Sequence, residues 1–303
     1  MLQSYLDQTL SFFRLAPLLI SEDSFNEFLI RLDCYIKNSS EPEHYSKIVQ
    51  EQIKSYQDKS DSIFLTSDYD DRSIPDSIAI HFVDGFISHE KNWWYASTEQ
   101  LLEDLEAAES NDKIIAHLII ISSPGGESYN LENVNRQIRS LTKPVISAVK
   151  KTMCSAGLYL GVAADKIYCM NRFDIVGSIG TMISYWDCKK AMENYGWKMI
   201  EAYATKSTHK NKTTRDVEDG KSEEFIKRFL DPLQEEFEKN VRLCRPKTAD
   251  APDEAHVFNG EIFYAEEAIK YGLIDGVKSL DEIITELYQL GKEFQTRSKI
   301  SIT

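Results

Sequence analysis

Three sets of residues in this chain have the types and the order needed to attack a carbonyl. Ser155 sits in the run Met153-Cys154-Ser155-Ala156-Gly157-Leu158-Tyr159, where the small residues after it leave a hydroxyl accessible and allow close helix packing. Upstream lies the glycine pair of Ser122-Ser123-Pro124-Gly125-Gly126, its second glycine 29 residues before the serine. Without a Cβ, that pair lets a backbone N–H approach a ligand oxygen. Downstream is a loop with three lysines, Thr205-Lys206-Ser207-Thr208-His209-Lys210-Asn211-Lys212. A nucleophile, a base and an N–H aimed at a developing oxyanion are the parts of acyl transfer, so the reaction implied is peptide hydrolysis by a serine and a lysine.

Each piece alone has a plainer reading. Pro-Gly-Gly is ordinary turn chemistry, a serine at a helix start is an ordinary N-cap, and a basic loop is usually a solvated one. Their order along the chain separates the two readings. Cys154 is the weaker nucleophile candidate, because a buried thiol is usually inert. The histidines are His44, His81, His89, His117, His209 and His256, and none falls between Ser155 and His209. A lysine base carries an energetic requirement. With a reference pKa near 10.4, a fall of about three units costs roughly 4 kcal/mol, which burial against apolar neighbours can supply. One lysine of the loop must therefore be desolvated and within hydrogen-bond reach of Ser155.

The elements that must hold these residues emerge from hydrophobic patterning. Ile78–Val83, Ile114–Ile121, Val145–Val149, Ile167–Met170, Met182–Trp186 and Met199–Tyr203 read as strands. Ile114–Ile121 is apolar on both alternations, as a parallel strand covered on both faces should be. Helical segments fall near Thr98–Ala108, Asn130–Leu141, Ala156–Ala164 and Cys188–Tyr195, with a longer one over about Ser222–Leu243. Alternating strands and helices of this size predict an α/β fold with a buried parallel sheet. The glycine pair then lies just past the carboxyl end of a buried strand, where such sheets place ligands. Residues 1 to 76 read as a mainly helical appendage, closed off by Asp68-Tyr69-Asp70-Asp71-Arg72 and Pro75. The remaining divisions are a core over 77–280 and a C-terminal helix and tail over 281–303.

Composition narrows the partners. A net charge of −14, with no basic run longer than Lys150-Lys151 or Lys189-Lys190, argues against nucleic acid. Five cysteines, odd in number and without a CxxC pair, fit free thiols in a reducing, cytoplasmic setting, and neither a metal nor a cofactor is expected. The apolar stretch Leu10–Ile20 imitates a secretory leader. Asp7, Arg14 and Pro17 and the lack of a cleavage pattern argue against one, and no window is long enough for a membrane span or anchor.

With Ser-Pro-Gly-Gly, the Cys-Ser-Ala-Gly-Leu-Tyr run with Ala163-Ala164-Asp165-Lys166-Ile167 after it, Gly177-Ser178-Ile179-Gly180 and Lys-Ser-Thr-His-Lys in order, the chain resembles the signal peptide peptidase A family of serine-lysine peptidases over about residues 77–280. The resemblance implies Ser155 as nucleophile, Lys210 as general base and Ser178 as the residue that helps orient the lysine. It also implies an oxyanion hole from the N–H groups of Gly126 and Ala156, with Gly125 in the substrate-binding strand. Lys206-Ser207-Thr208-His209-Lys210 is one residue shorter than the family's element, which keeps Lys206 and Lys212 as alternatives. Three further departures are Ser122 in place of an acid or amide, Ala156 in place of a glycine, and Glu261 in place of an arginine. The implied fold is the Clp/crotonase-like one of repeated β-β-α units, in a homo-oligomer whose sites face a shared cavity.

Soluble relatives of this kind occur in tailed phages and prophages. The resemblance thus implies trimming of scaffold and capsid proteins in an assembling head, with scaffold, portal or capsid proteins as partners. The alternative is a general cytosolic peptidase that degrades signal peptides and other peptides. A Clp-type triad needs a histidine about 25 residues after the serine, and the residue there is Gly180. An acyl-coenzyme A enzyme would share the fold without a nucleophile, and a catalytically silent assembly protein would keep the fold alone.

Overall fold

The computed structural model describes residues 63–67, 69, 73–91, 96–184 and 189–300, together with the backbone of 18–20. The helical reading of residues 1 to 76 lies almost wholly outside the described residues.

In chain order the strands and helices are β1 (Leu18–Ile20), β2 (Leu65–Thr66), β3 (Ser77–Asp84), β4 (Ile87–Ser88), β5 (Ala96–Ser97), α1 (Thr98–Ser110), β6 (Ile114–Ser123), β7 (Gly125–Glu127) and α2 (Leu131–Ser140). They continue as β8 (Val145–Cys154), α3 (Ala156–Gly161), β9 (Lys166–Cys169), β10 (Ile175–Gly177), α4 (Lys189–Asn194) and α5 (Lys212–Glu218). The last elements are α6 (Asp231–Cys244), β11 (Ile262–Tyr264), α7 (Ala265–Lys270), β12 (Gly276–Val277) and α8 (Leu280–Ile300).

The main sheet runs β11-β10-β8-β6-β3-β2, with β9 also on β8 and β12 on β9. All of its pairings are parallel except β10 with β11. Its central strand is covered on both faces, as the double apolar alternation requires: Ile114 to Ile121 are each 2% exposed or less. On one face lie α1, α2, α3 and α6, through Leu105, Val134, Ile138, Leu158 and Phe237. On the other lies α8, through Ile283, Ile284 and Leu287. Gly291 brings α8 against β6; a Cβ there would meet Ile115 at 2.8 Å.

Strand β8 changes neighbours halfway. Its first half, Ile146–Val149, pairs with β9, and its second, Thr152–Cys154, pairs with β10. Between these halves Ile121 faces Val149 while Ser123 faces Met153, so β8 carries extra residues in a bulge, and Lys151 there has φ +74°. A bulge bends a strand and re-aims the residues beyond it. Here it carries β8 past the Lys150-Lys151 pair, five residues beyond the expected end, and delivers it at Ser155.

A smaller sheet, β1-β7-β4-β5, stands beside the first. Strand β7 is its centre, parallel to β4 on one edge and antiparallel to β1 on the other. The expected strand at Met199–Tyr203 is irregular and exposed instead. Over Met182–Trp186 the described part has only a bridge at Met182, residues 185 and 186 lying outside the described ones. The expected long helix after Ser222 is present as Glu223–Phe225, a π-turn at Ile226–Leu230, and α6.

Candidate active site

Ser155 sits between the end of β8 and the first turn of α3. Its backbone has φ 52° and ψ −119°, a conformation that an L-residue holds at a cost on the order of 1–3 kcal/mol. Two backbone bonds fix it there: Ser155 N–H donates to the Gly177 carbonyl at 3.0 Å, and Tyr159 N–H donates to the Ser155 carbonyl at 2.9 Å. The side chain is only 1% exposed, makes no cap bond to the helix, and its Oγ has no hydrogen-bond partner. The N-cap reading of this serine therefore fails. Among the described residues Ser147 Oγ is also buried without a partner, but it lies in mid-strand beside Ile119 and Ile167, without positive φ. Unmet polarity together with a strained turn at a strand end selects Ser155.

Parallel pairing of Gly177 with Cys154 brings Ser178 alongside Ser155. Ser178 also has positive φ, 55°, and its N–H donates to the Glu261 carbonyl at 2.7 Å. Gly177 is obligatory: at φ +130°, a Cβ on it would stand 2.5 Å from the Glu261 carbonyl oxygen. The sequence signal for that role is the same Gly-Ser-Ile-Gly run that singles out Ser178.

The glycine pair forms β7, directly after β6. Ser123 Oγ accepts the Gly125 N–H at 3.1 Å, which holds the turn into β7. A Cβ on Gly126 would lie 2.1 Å from the Ile87 carbonyl oxygen, so only glycine allows β7 to approach β4 this closely. Helix α3 packs against β6, β7 and β8. Gly157 permits that contact, since a Cβ there would already stand 3.1 Å from Ser123 Cβ. Ala156 is the first residue of α3, and an N–H in the first turn has no acceptor within its helix. The structure thus gathers Ser155, Ser178, the Gly125-Gly126 strand and the Ala156 N–H at the carboxyl ends of β6, β8 and β10.

No lysine of the loop hydrogen-bonds to Ser155 Oγ. Lys206 and Lys210 are exposed in the loop between α4 and α5, and the Lys210 carbonyl accepts from Arg215. Lys212 pairs with Asp216, and at 3.5 Å with Glu224; the bond to Asp216 raises its pKa. That pairing favours the charged form and makes Lys212 the poorest base of the three. Burial pushes the Cys154 thiol up to about 11, which disfavours its thiolate.

The family model described as "Peptidase family S49" matches residues 137–293, a span that holds Ser155, Ser178 and the lysine loop. The chain is 30% identical over 203 residues to "Serine protease SPPA, chloroplastic" of Arabidopsis thaliana, covering 61% of this chain and 27% of that protein. It is 23% identical over 236 residues to "Protease 4" of Haemophilus influenzae, covering 74% of this chain and 36% of that protein. The chain thus spans about a quarter to a third of the length of these curated relatives. Among solved structures it is similar to a mutant of the 1510-N membrane-bound stomatin-specific protease, at 18% identity and a TM-score of 0.46, covering 70% of this chain and 83% of that one. It is also similar to an enoyl-CoA hydratase/carnithine racemase from Magnetospirillum magneticum, at 15% identity and a TM-score of 0.34, covering 65% and 63%.

Proposed function

Because this chain belongs to peptidase family S49, we propose that it is a serine endopeptidase in which Ser155 attacks the peptide carbonyl and Lys210 is the general base. The observation that carries the reading is the strained, buried and unpartnered Ser155 hydroxyl. Neutral Lys210 takes the Ser155 proton as Oγ adds to the carbonyl, and the protonated amine then delivers it to the leaving nitrogen. The N–H groups of Gly126 and Ala156 receive the oxyanion, Ser178 orients the lysine, and Gly125 lies in the strand that meets the substrate. Water then releases the acyl group from Ser155.

An exposed lysine cannot serve as this base until something covers it. The run before the loop supplies a reason for a second copy to do so: Tyr195, Trp197, Met199 and Ile200 are 82%, 68%, 69% and 84% exposed. Large apolar side chains left exposed together in one short run suit an interface. We therefore read the active form as a homo-oligomer in which burying this run also desolvates Lys210.

For the substrate, the resemblance to soluble phage and prophage peptidases supports scaffold and capsid proteins of an assembling head. Degradation of signal peptides and other peptides in the cytoplasm is the alternative drawn from the same resemblance. Intact-mass and product analysis of wild type, Ser155→Ala and Lys210→Ala with casein tests the chemistry. Fragments from wild type alone are expected, with Lys210→Ala slower by about 10²- to 10⁴-fold. Undegraded casein with all three would favour the catalytically silent assembly protein. Full activity of Lys210→Ala would move the base to Lys206.

A further inference from the structure

Strand β7 has two edges, and the chain itself fills both. One is taken by β4, through Ile87 opposite Gly126. The other is taken by β1 in antiparallel register, Leu18 opposite Glu127, Leu19 opposite Gly126 and Ile20 opposite Gly125. A peptide that presents its carbonyl to both Ser155 and the Gly126 N–H must run extended alongside β7, and the β1 edge is the one it can use. Extended peptides bind sheet edges through main-chain bonds that give affinity, while pockets for alternate side chains give specificity.

Resting on the peptidase reading, we propose that Leu18–Ile20 is a built-in pseudosubstrate: a strand of the same chain that occupies the peptide-binding edge of β7 and must leave before a substrate can enter. The segment has the chemistry for it. Leu18-Leu19-Ile20 closes the apolar stretch Leu10–Ile20, and Pro17 just before it suits the start of an edge strand rather than a helix. This assigns the last three residues of the leader-like stretch to the enzyme's own site. In sequence, 42 residues, 21 to 62, separate Ile20 from the first described residues before β2. Inhibition of this kind is competition in cis, so it raises the apparent KM by the inverse of the fraction undocked and leaves kcat alone.

The test uses the full chain with Leu18→Gly, Leu19→Pro and Ile20→Gly combined, which removes the strand's pairing capacity without touching the site. With a short fluorogenic peptide, KM is expected to fall on the order of ten-fold at unchanged kcat, which corresponds to a strand docked about nine-tenths of the time. A synthetic peptide of residues 12–26 should then inhibit the triple variant competitively. A KM equal to that of wild type would overturn the pseudosubstrate while leaving the peptidase standing. Hydrogen exchange reads the docking without turnover, in a Ser155→Ala background. Protection at the β7 amide facing β1 that is lost in the triple variant supports the docked strand, and equal exchange in the two overturns it, whatever the peptidase assay gives.

Discussion

Strand β6 carries a buried polar network near its start and borders another at its end, about 20 Å apart along six residues. The first is held by several side chains. Glu109 accepts from His117 Nε2 at 3.0 Å and from the Thr142 N–H and hydroxyl at 2.9 and 2.6 Å. A carboxylate only accepts, so His117 Nδ1 is left to accept from His81 Nε2 at 3.0 Å, and His81 Nδ1 faces at 3.2 Å the Tyr69 hydroxyl, which itself donates to the Ile80 carbonyl at 2.7 Å. Lys143 closes the same corner by donating to the Ala108, Glu109 and Asn111 carbonyls at the end of α1. The second region, around Ser155, has an orphaned hydroxyl on a left-handed backbone. By composition the histidine relay looks the more catalytic of the two, yet each of its members has a polar neighbour within hydrogen-bond distance. Satisfied polarity holds a fold together, whereas unsatisfied polarity under strain is held ready for something else.

Replacing Ser155 should separate activity from stability most sharply. Ser155→Ala is expected to lower kcat/KM by about 10⁴-fold or more while Tm holds or rises, since it deletes a buried hydroxyl that bonds to nothing. A fall in Tm of several degrees would mean that the hydroxyl has a structural partner. His117→Ala should behave oppositely. It strands Glu109 and His81, so thermal unfolding should show a loss of about 1–3 kcal/mol with kcat/KM unchanged. A matching loss of peptidase activity would join the two regions into one machine.

Acid should act on the relay before the serine. Burial lowers the pKa of His81, with His117 adding to the effect, and burial also lowers that of His117. Burial alone would raise Glu109, but hydrogen bonds from His117 and Thr142 outweigh it and hold the carboxyl at about 2. All three groups bind protons less readily in the folded chain than in the unfolded one. Their stabilisation is complete above pH 6.5 and is lost as pH falls, first through the histidines and then, between about 4.5 and 2, through Glu109. A Tm that declines from pH 7 to 5, with the further loss below 4.5 absent in Glu109→Gln, is the expected profile. The smallest effect is predicted for Ser155→Gly, which relieves the positive φ and should add about 1 kcal/mol in denaturant titration.

Much of this arrangement is legible in the sequence because its signals are long or chemically distinctive. The apolar run Ile114–Ile121 announces a strand buried on both faces, and the small residues after Ser155 announce a packed helix start. The strands that complete the site are not legible. Strands β4, β5, β7 and β10 have two or three residues each, too few to show any period. Strand β8 reads short because Lys150-Lys151 looks like an end, when it is a bulge within a longer strand. Met199–Tyr203 misleads in the other direction: its apolar residues are exposed rather than packed in a sheet. Nothing in the sequence links His81 with His117, since 36 residues separate partners that adjacent strands bring to 3.0 Å.

Strand β8 is, mechanically, a beam clamped over its first half and propped near its tip. The clamp is β6 with β9, and the prop is β10, itself backed by β11. Two backbone bonds form the load path from the prop to the tip, the Glu261 carbonyl to Ser178 and the Gly177 carbonyl to Ser155. The aim of the Ser155 hydroxyl is therefore governed by residues 261–264, more than a hundred positions away in sequence, on a strand whose outer side chains, Ile262 and Tyr264, face solvent. Whatever stiffens or slackens that outer strand adjusts the Ser155 hydroxyl without touching it.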